Sequence, residues 1–296
     1  MLIIAIEHIR VSHLPSSIGS SIGGSEESAM NALRTLEGTI HYEVTGRGPA
    51  VVFLHSALAD HRQWRVQVEA LAQGYRCIAY DLMGYGQSDN APERYDPADT
   101  LVALLDDLGV ETATLVGSSL GGSVAIHAAV KYPHRIRSMV VAGTGLFGFE
   151  PPNLEGPKPP IYAQYEAALA AHDVNRLVDL AEAIWLRGID GSDEDVPFAS
   201  REAFRLMYRE FLNTRGEFLQ YPELNDVGLL RNLEIPIMVL LGERETAFCV
   251  AIAEHLEATL SRVTLVRMTG AAHFPNLSKP HEVTDRIRRW LHETSV

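Results

Sequence analysis

Apolar and polar positions along this chain fall into two alternating rhythms. Short continuous apolar runs read as strands covered on both faces: "PAVVFLHS" (49–56), "YRCIAYD" (75–81), "TATLVG" (112–117), "IRSMVVAG" (136–143), "IPIMVLLG" (235–242) and "RVTLVRM" (262–268). Between them stand segments whose apolar residues recur at three- and four-residue spacing, as amphipathic helices require. In "DHRQWRVQVEALAQG" (60–74), Trp64, Val68 and Leu71 share one stripe and Gly74 supplies a C-terminal stop. The segments 97–110, 119–132, 248–260 and 280–293 also read as helices. Ahead of them, "RTLEGTIHYEVTG" (34–46) has the pattern of a hairpin turning at Glu37-Gly38. Strands alternating with helices predict an α/β fold with a mostly parallel sheet and helices on both faces.

The alternation stops once. From 146 to 230 a proline-rich hinge, "FEPPNLEGPKPP", leads into two long helical patterns, "IYAQYEAALAAHDVNRLVDLAEAIWLRG" (161–188) and "SREAFRLMYREFLN" (200–213), with no strand pattern among them. This predicts a helical cap over 146–230, inserted into a core formed by 33–145 and 231–296. Residues 1–32 open apolar, but Glu7, His8 and Arg10 break the run well short of a membrane span, and "LPSSIGSSIGGSEES" then reads as flexible linker. They are expected to form a flexible N-terminal extension.

Charge narrows the partners. With 25 Lys and Arg against 38 Asp and Glu, the net charge is −13, opposite to the footprint of a nucleic-acid binder and repelled by anionic lipid. A small-molecule substrate is expected, with no nucleic acid and no membrane; nothing in the pattern speaks to oligomeric state. The two cysteines, Cys77 and Cys249, form no disulfide framework or C-x-x-C pair, which suits a reducing cytoplasm. Cys77 lies in an apolar strand. Cys249 follows "GERETAF" closely enough to lie near a site, but core packing is its simpler role.

The chemistry concentrates in "LVGSSLGG", where two serines stand side by side. A nucleophile elbow holds its serine on a tight strand-to-helix turn and needs small residues two before and two after it. Ser119 has Gly117 and Gly121 at those offsets; Ser118 has Val116 and Leu120, which would clash. An apolar strand precedes and a helical pattern follows, so Ser119 is the candidate nucleophile. The bland alternative is a serine that merely caps the helix. A serine hydroxyl is weakly nucleophilic and needs a base and an orienting acid downstream.

At this point the chain, from about residue 33 to its end, resembles the α/β-hydrolase superfamily. Four motifs carry the resemblance in order: "FLHSALADHRQW", "YDLMGYGQSD", "LVGSSLGG" and "LLGERETAF…GAAHFPNLSKP". It implies an eight-stranded, mostly parallel sheet with an inserted helical cap. It implies His273, in the loop after the last strand, as the base. The orienting acid falls at Glu245, the last residue of Gly242-Glu243-Arg244-Glu245, where the family more often has aspartate; Glu243 is its neighbouring competitor. The oxyanion hole would be built from the backbone N–H groups of Leu120 and Ala57. The family usually reads His-Gly where this chain has His55-Ser56, so Ser56 could narrow the hole or offer a hydroxyl, as in enol-lactone hydrolases. Asp81, Gly84 and Gly86 would fix a turn. Family members that open epoxides or dehalogenate carry an aspartate nucleophile, and Ser119 argues against those reactions.

Among the remaining histidines, His127 sits inside the helix after the elbow and is read as packed or solvated. In the cap, Tyr162, Trp185 and Tyr208 are candidates for lining a substrate pocket, although helical spacing makes self-packing the stronger reading for each. Arg187, Arg205 and Arg209 could bind a substrate carboxylate, but a solvated helix face is the stronger reading. The resemblance thus implies a serine hydrolase of esters or lactones, needing neither cofactor nor metal. A carbon–carbon bond hydrolase or a perhydrolase would use the same three residues, and a small-molecule receptor on a retained hydrolase fold is the rival from another class.

Overall fold

The computed structural model describes residues 30–151, 159–216, 218, 221 and 223–294. Eight strands form one sheet: β1 (Asn31–Arg34), β2 (Thr39–Thr45), β3 (Ala50–Leu54), β4 (Arg76–Tyr80), β5 (Ala113–Ser118), β6 (Ile136–Ala142), β7 (Ile237–Gly242) and β8 (Val263–Met268). Their spatial order is β1-β2-β4-β3-β5-β6-β7-β8. The β1–β2 hairpin pairs antiparallel and joins β4 antiparallel; every pairing from β4 through β3 to β8 is parallel. This is the mostly parallel, eight-stranded sheet expected. The first strand starts at Asn31, earlier than the extension assigned to 1–32 allows, because Asn31 and Ala32 already pair with Tyr42 and His41. The remainder of that expectation, residues 1–29, lies outside the described residues.

Helices cover both faces. The period of two along each strand sorts its side chains into two cores. On β3, Val51 and Phe53 pack with Trp64, Val68 and Leu71 of the segment after β3 and with Val283, Ile287 and Trp290 near the C-terminus. Val52 and Leu54 face the other way, towards Leu101, Leu104, Val124 and Ile252. The helices are α1 (Arg65–Leu71), α2 (Pro97–Asp107), α3 (Leu120–Lys131), α4 (Pro160–Ala170), α5 (Val174–Ala181), α6 (Phe198–Thr214), α7 (Ala247–Thr259), α8 (Pro275–Ser278) and α9 (Pro280–Glu293). None of them is long and apolar enough to cross a membrane.

Between β6 and β7 the described residues are helical and contain no strand. The long pattern at 161–188 is not one helix. It breaks where His172 takes a left-handed φ of 53°, and Asp173 then caps α5 by accepting from Arg176 N at 3.0 Å. A competing N-cap inside a periodic run resets the helix, which periodicity alone does not reveal. The run ends in a π-helical turn, Glu182–Leu186.

Candidate active site

The turn from β5 into α3 places Ser119 at φ 52° and ψ −115°, a conformation that side chains seldom adopt. The flanking glycines are obligatory. A Cβ at 117 would stand 2.4 Å from Gly121 O, and one at 121 would stand 2.2 Å from Leu54 O. The hydroxyl of Ser119 makes no capping hydrogen bond to α3, so the bland reading of a helix-cap serine fails. Ser118 is sealed: it is 0% exposed and its Oγ has no partner among the described residues, whereas Ser119 is 7% exposed.

The loops after β7 and β8 meet beside this turn. Gly242 lets them touch, since a Cβ there would lie 2.2 Å from Ala272 O. His273 Nδ1 lies 3.0 Å from both carboxylate oxygens of Glu245. A carboxylate can only accept, so the ring nitrogen facing it is the donor. Glu245 is fixed in turn by Thr246 N, which donates to Oε1 at 2.7 Å. Both side chains are buried, 5% and 0% exposed. Burial alone would lower the imidazole pKa, but the adjacent charge of Glu245, and after it Cys249, opposes this and holds the pKa above its ordinary value. Glu243, the competing acid, points elsewhere and accepts from Gly270 N at 2.8 Å.

One segment joins the two halves. Ser119 N donates to Ala142 O (2.9 Å), and Gly145 N donates to Ser119 O (3.3 Å). Between them Gly143, at φ 51°, packs on the imidazole; a Cβ there would stand 2.8 Å from His273 Nδ1 and 3.0 Å from Glu245 Oε2. Ser119 and His273 therefore border the same four-residue stretch. They make no hydrogen bond to each other in this state; catalytic hydrogen bonds in free enzymes are often long and tighten with substrate.

The N–H of Leu120 opens α3 and that of Ala57 follows the β3 loop; neither donates to another group among the described residues. The first N–H groups of a helix have no partner within it and favour negative charge. Ser56 is held inside its loop. It is fully buried, its Oγ accepts from Leu58 N (3.3 Å) and its N–H donates to Gln63 Oε1 (2.9 Å). Buried His55, whose pKa burial lowers, donates from Nδ1 to Ser56 O (2.8 Å) and accepts Leu82 N at Nε2 (2.9 Å). Asp81 accepts from the His61 amide and from Gln87 N, fixing the turn that contains Gly84 and Gly86.

Of the cap candidates, Tyr162 is the one beside the site: burial first, then the charges of Glu245 and Cys249, raise its pKa. Trp185 contributes its backbone, accepting the His273 amide at 3.0 Å, while its ring packs edge-on against Tyr165 at 5.0 Å. Tyr208 does not line an open pocket. It is fully buried and hydrogen-bonded to Tyr165, with Phe204 and Phe211 stacked beside it. The arginines are not simply solvated. Arg205 binds buried Glu182 (2.6 Å), Arg187 binds Asp193 (3.0 Å) and Arg209 binds Asn175. Two residues escaped the sequence reading. Gln63 Nε2 donates to Asn276 Oδ1 (3.3 Å), and Asn276 Nδ2 donates to Gln63 O (3.1 Å). Both lie within quoted motifs, but a pair 213 residues apart leaves no local periodic signal.

Comparisons with known proteins agree with this architecture. Strigolactone esterase D14 of Arabidopsis thaliana is 25% identical over 271 residues, covering 85% of this chain and 96% of that protein. Bifunctional epoxide hydrolase 2 of Mus musculus is 24% identical over 297 residues, covering 85% of this chain but 53% of its own length, so the chain spans about half of that relative. A thermophilic esterase from Thermogutta terrifontis has the same fold, with a TM-score of 0.69 at 24% identity over 91% of this chain and 100% of its own. The match to the Alpha/beta hydrolase family runs over residues 51–286, most of the chain, and the chain belongs to that family.

Proposed function

We propose that this chain is a serine hydrolase that cleaves a small carboxylic ester or lactone with no cofactor. The observation that carries the reading is the buried His273–Glu245 pair, which shares the Ala142–Gly145 segment with a strained, non-capping Ser119. The partly matching names of relatives, an esterase in Arabidopsis and one in Thermogutta, point the same way.

In this reading, Ser119 Oγ attacks the carbonyl carbon while His273 Nε2 takes its proton. Glu245 holds the ring with Nδ1–H towards the carboxylate and balances the imidazolium that forms. The N–H groups of Leu120 and Ala57 receive the oxyanion, and one such donor is worth on the order of 10²–10³ in rate. His273 then returns the proton to the leaving alkoxide, and water releases the acyl group by the same relay.

Steady-state hydrolysis of p-nitrophenyl esters of increasing chain length, beside a lactone panel, tests this. Multiple turnovers that disappear in Ser119→Ala are expected. Wild-type rates no higher than those of the variant across both panels would overturn the proposal.

A further inference from the structure

One side chain at this site takes no part in the steps above. Cys249 lies in the first turn of α7, buried, with its sulfur 3.8 Å from His273 Nδ1 and its S–H directed at Gly143 O (3.7 Å). The sequence explains why it points inward. Thr246 caps α7 by accepting from Cys249 N, so the helix starts directly after Glu245. Residue 249 then projects back towards the helix N-terminus and the carboxylate four positions earlier.

A carboxylate oxygen of Glu245, the sulfur of Cys249 and a nitrogen of His273 all lie within 4.8 Å of one another. In a tetrahedral zinc site, bonds of about 2.0–2.3 Å hold the ligand atoms roughly 3.3–3.6 Å apart. The nitrogen–oxygen separation of 3.0 Å and nitrogen–sulfur separation of 3.8 Å straddle that range. One thiolate, one imidazole and one carboxylate form a borderline-soft set suited to zinc or cadmium, not to calcium or magnesium, which prefer oxygen. The set also neutralises a divalent charge, because thiolate and carboxylate each bring one negative charge into a buried place. The other triple of this kind, Asp60, His61 and Asp81, differs. It has no sulfur, and its carboxylates are committed to Arg62, to the amides of His61 and Gln87, and to the His61 ring.

We propose that Glu245, Cys249 and His273 form an inhibitory site for a thiophilic divalent cation such as zinc. Only the consequence of binding rests on the hydrolase reading; occupancy depends on the three donors. When the ion binds a neutral ring, the Cys249 thiol releases its proton to solvent and the sulfur lone pair goes to the metal. The ring proton leaves Nδ1, whose lone pair also goes to the metal, and Nε2 carries the proton instead. One proton is released in all. With Nε2 protonated, the ring has no lone pair for the Ser119 proton, and turnover stops.

The test is titration of the full chain with cadmium and with zinc, read by cadmium–thiolate charge-transfer absorbance and by ester hydrolysis. One cadmium per chain, a charge-transfer band and a parallel loss of activity reversed by a chelator are expected. Cys249→Ala should keep basal hydrolysis, lose the band and raise the inhibition constant at least about tenfold. Cys249→Ser keeps the volume and replaces a soft donor with a hard one, so it should behave the same way. Cys77→Ala, which alters a cysteine on β4 in the other core, should keep both band and inhibition. No band, a band that survives in Cys249→Ala, or inhibition unchanged by that variant would overturn the proposal. If no ester is turned over but the band appears and depends on Cys249, the metal site stands and the hydrolase reading fails by itself.

Discussion

Gln63 and Asn276 exchange two hydrogen bonds across the site, each donating a side-chain N–H to an oxygen of the other residue. The pair ties the loop carrying Ser56 and Ala57 to the loop carrying His273. Gln63 also accepts Ser56 N, one residue before the candidate oxyanion donor at Ala57. Both side chains are buried, at 1% exposure each. Removing one partner leaves buried amide groups unpaired, which costs about 1–3 kcal/mol. Asn276→Ala should therefore lower stability by that amount and reduce kcat more than it raises KM, since oxyanion contacts act in the transition state. A double-mutant cycle with Gln63→Ala should show strong non-additivity. Additive losses would mean that the two loops are positioned independently.

Glu245, the candidate orienting acid, has one methylene more than an aspartate would. In Glu245→Gln the amide matches the shape but its NH₂ group competes to face Nδ1 and favours the wrong tautomer. Loss of kcat on the order of 10³–10⁴ is expected, with KM little changed. Glu245→Asp restores the charge but shortens the reach, and should fall between the two. Equal activity in wild type and Glu245→Gln would remove Glu245 from the mechanism.

Gly143 has its role through space it does not fill. At φ 51°, any Cβ would press on His273 O at 2.6 Å and on Nδ1 at 2.8 Å, against backbone as well as ring. Gly143→Ala combines backbone strain with displacement of the imidazole and should cost roughly 2 kcal/mol or more of stability. Thermal unfolding together with kcat would check this. Activity should fall further than stability explains, because the ring moves out of reach of Ser119. An unchanged kcat would show that the loop relaxes without moving the base.

The elements that the sequence revealed share a local origin. The spacing Gly117-x-Ser119-x-Gly121 singles out one serine because the strand and helix that nearly collide there are adjacent in the chain. Six of the eight strands were legible because each is a short apolar run, the first two because of the hairpin turn at Glu37-Gly38, and the closing helix was placed at 280–293 from its own periodicity. What stayed hidden depends on contacts between distant segments. Cys249 reads as core packing until Thr246 starts a helix that turns the thiol onto His273. Tyr208 and Trp185 lie in amphipathic runs where pocket and core look alike; only the cap's packing shows one sealed against Tyr165 and the other contributing its carbonyl. The arginines of the cap look solvated until buried Glu182 is seen to gather Arg201 and Arg205.

His127 is packed, as one of its two sequence readings held, and both of its ring nitrogens face carboxylates. Its Nδ1 lies 2.9 Å from Asp226 and its Nε2 3.2 Å from Asp96, with Lys131 bound to Asp96 on the outer side. Asp226 N donates to Phe147 O, so this pair fastens both the entry and the exit of the helical insertion to α3. Burial alone would lower the imidazole pKa, but hydrogen bonds and charge from Asp226 and Asp96 raise it to about 9. A raised folded-state pKa means that the protonated ring stabilises the fold fully below the unfolded value near 6.5. That stabilisation is lost as pH climbs through about 9. Discounted for partial solvent screening, the change should be about 1–2 kcal/mol. Urea denaturation of wild type and His127→Gln at pH 6 and at pH 9.5 should show the variant's deficit shrinking at the higher pH. A deficit constant across that window would mean that the imidazole contributes packing alone and that its charge does not hold the insertion to α3.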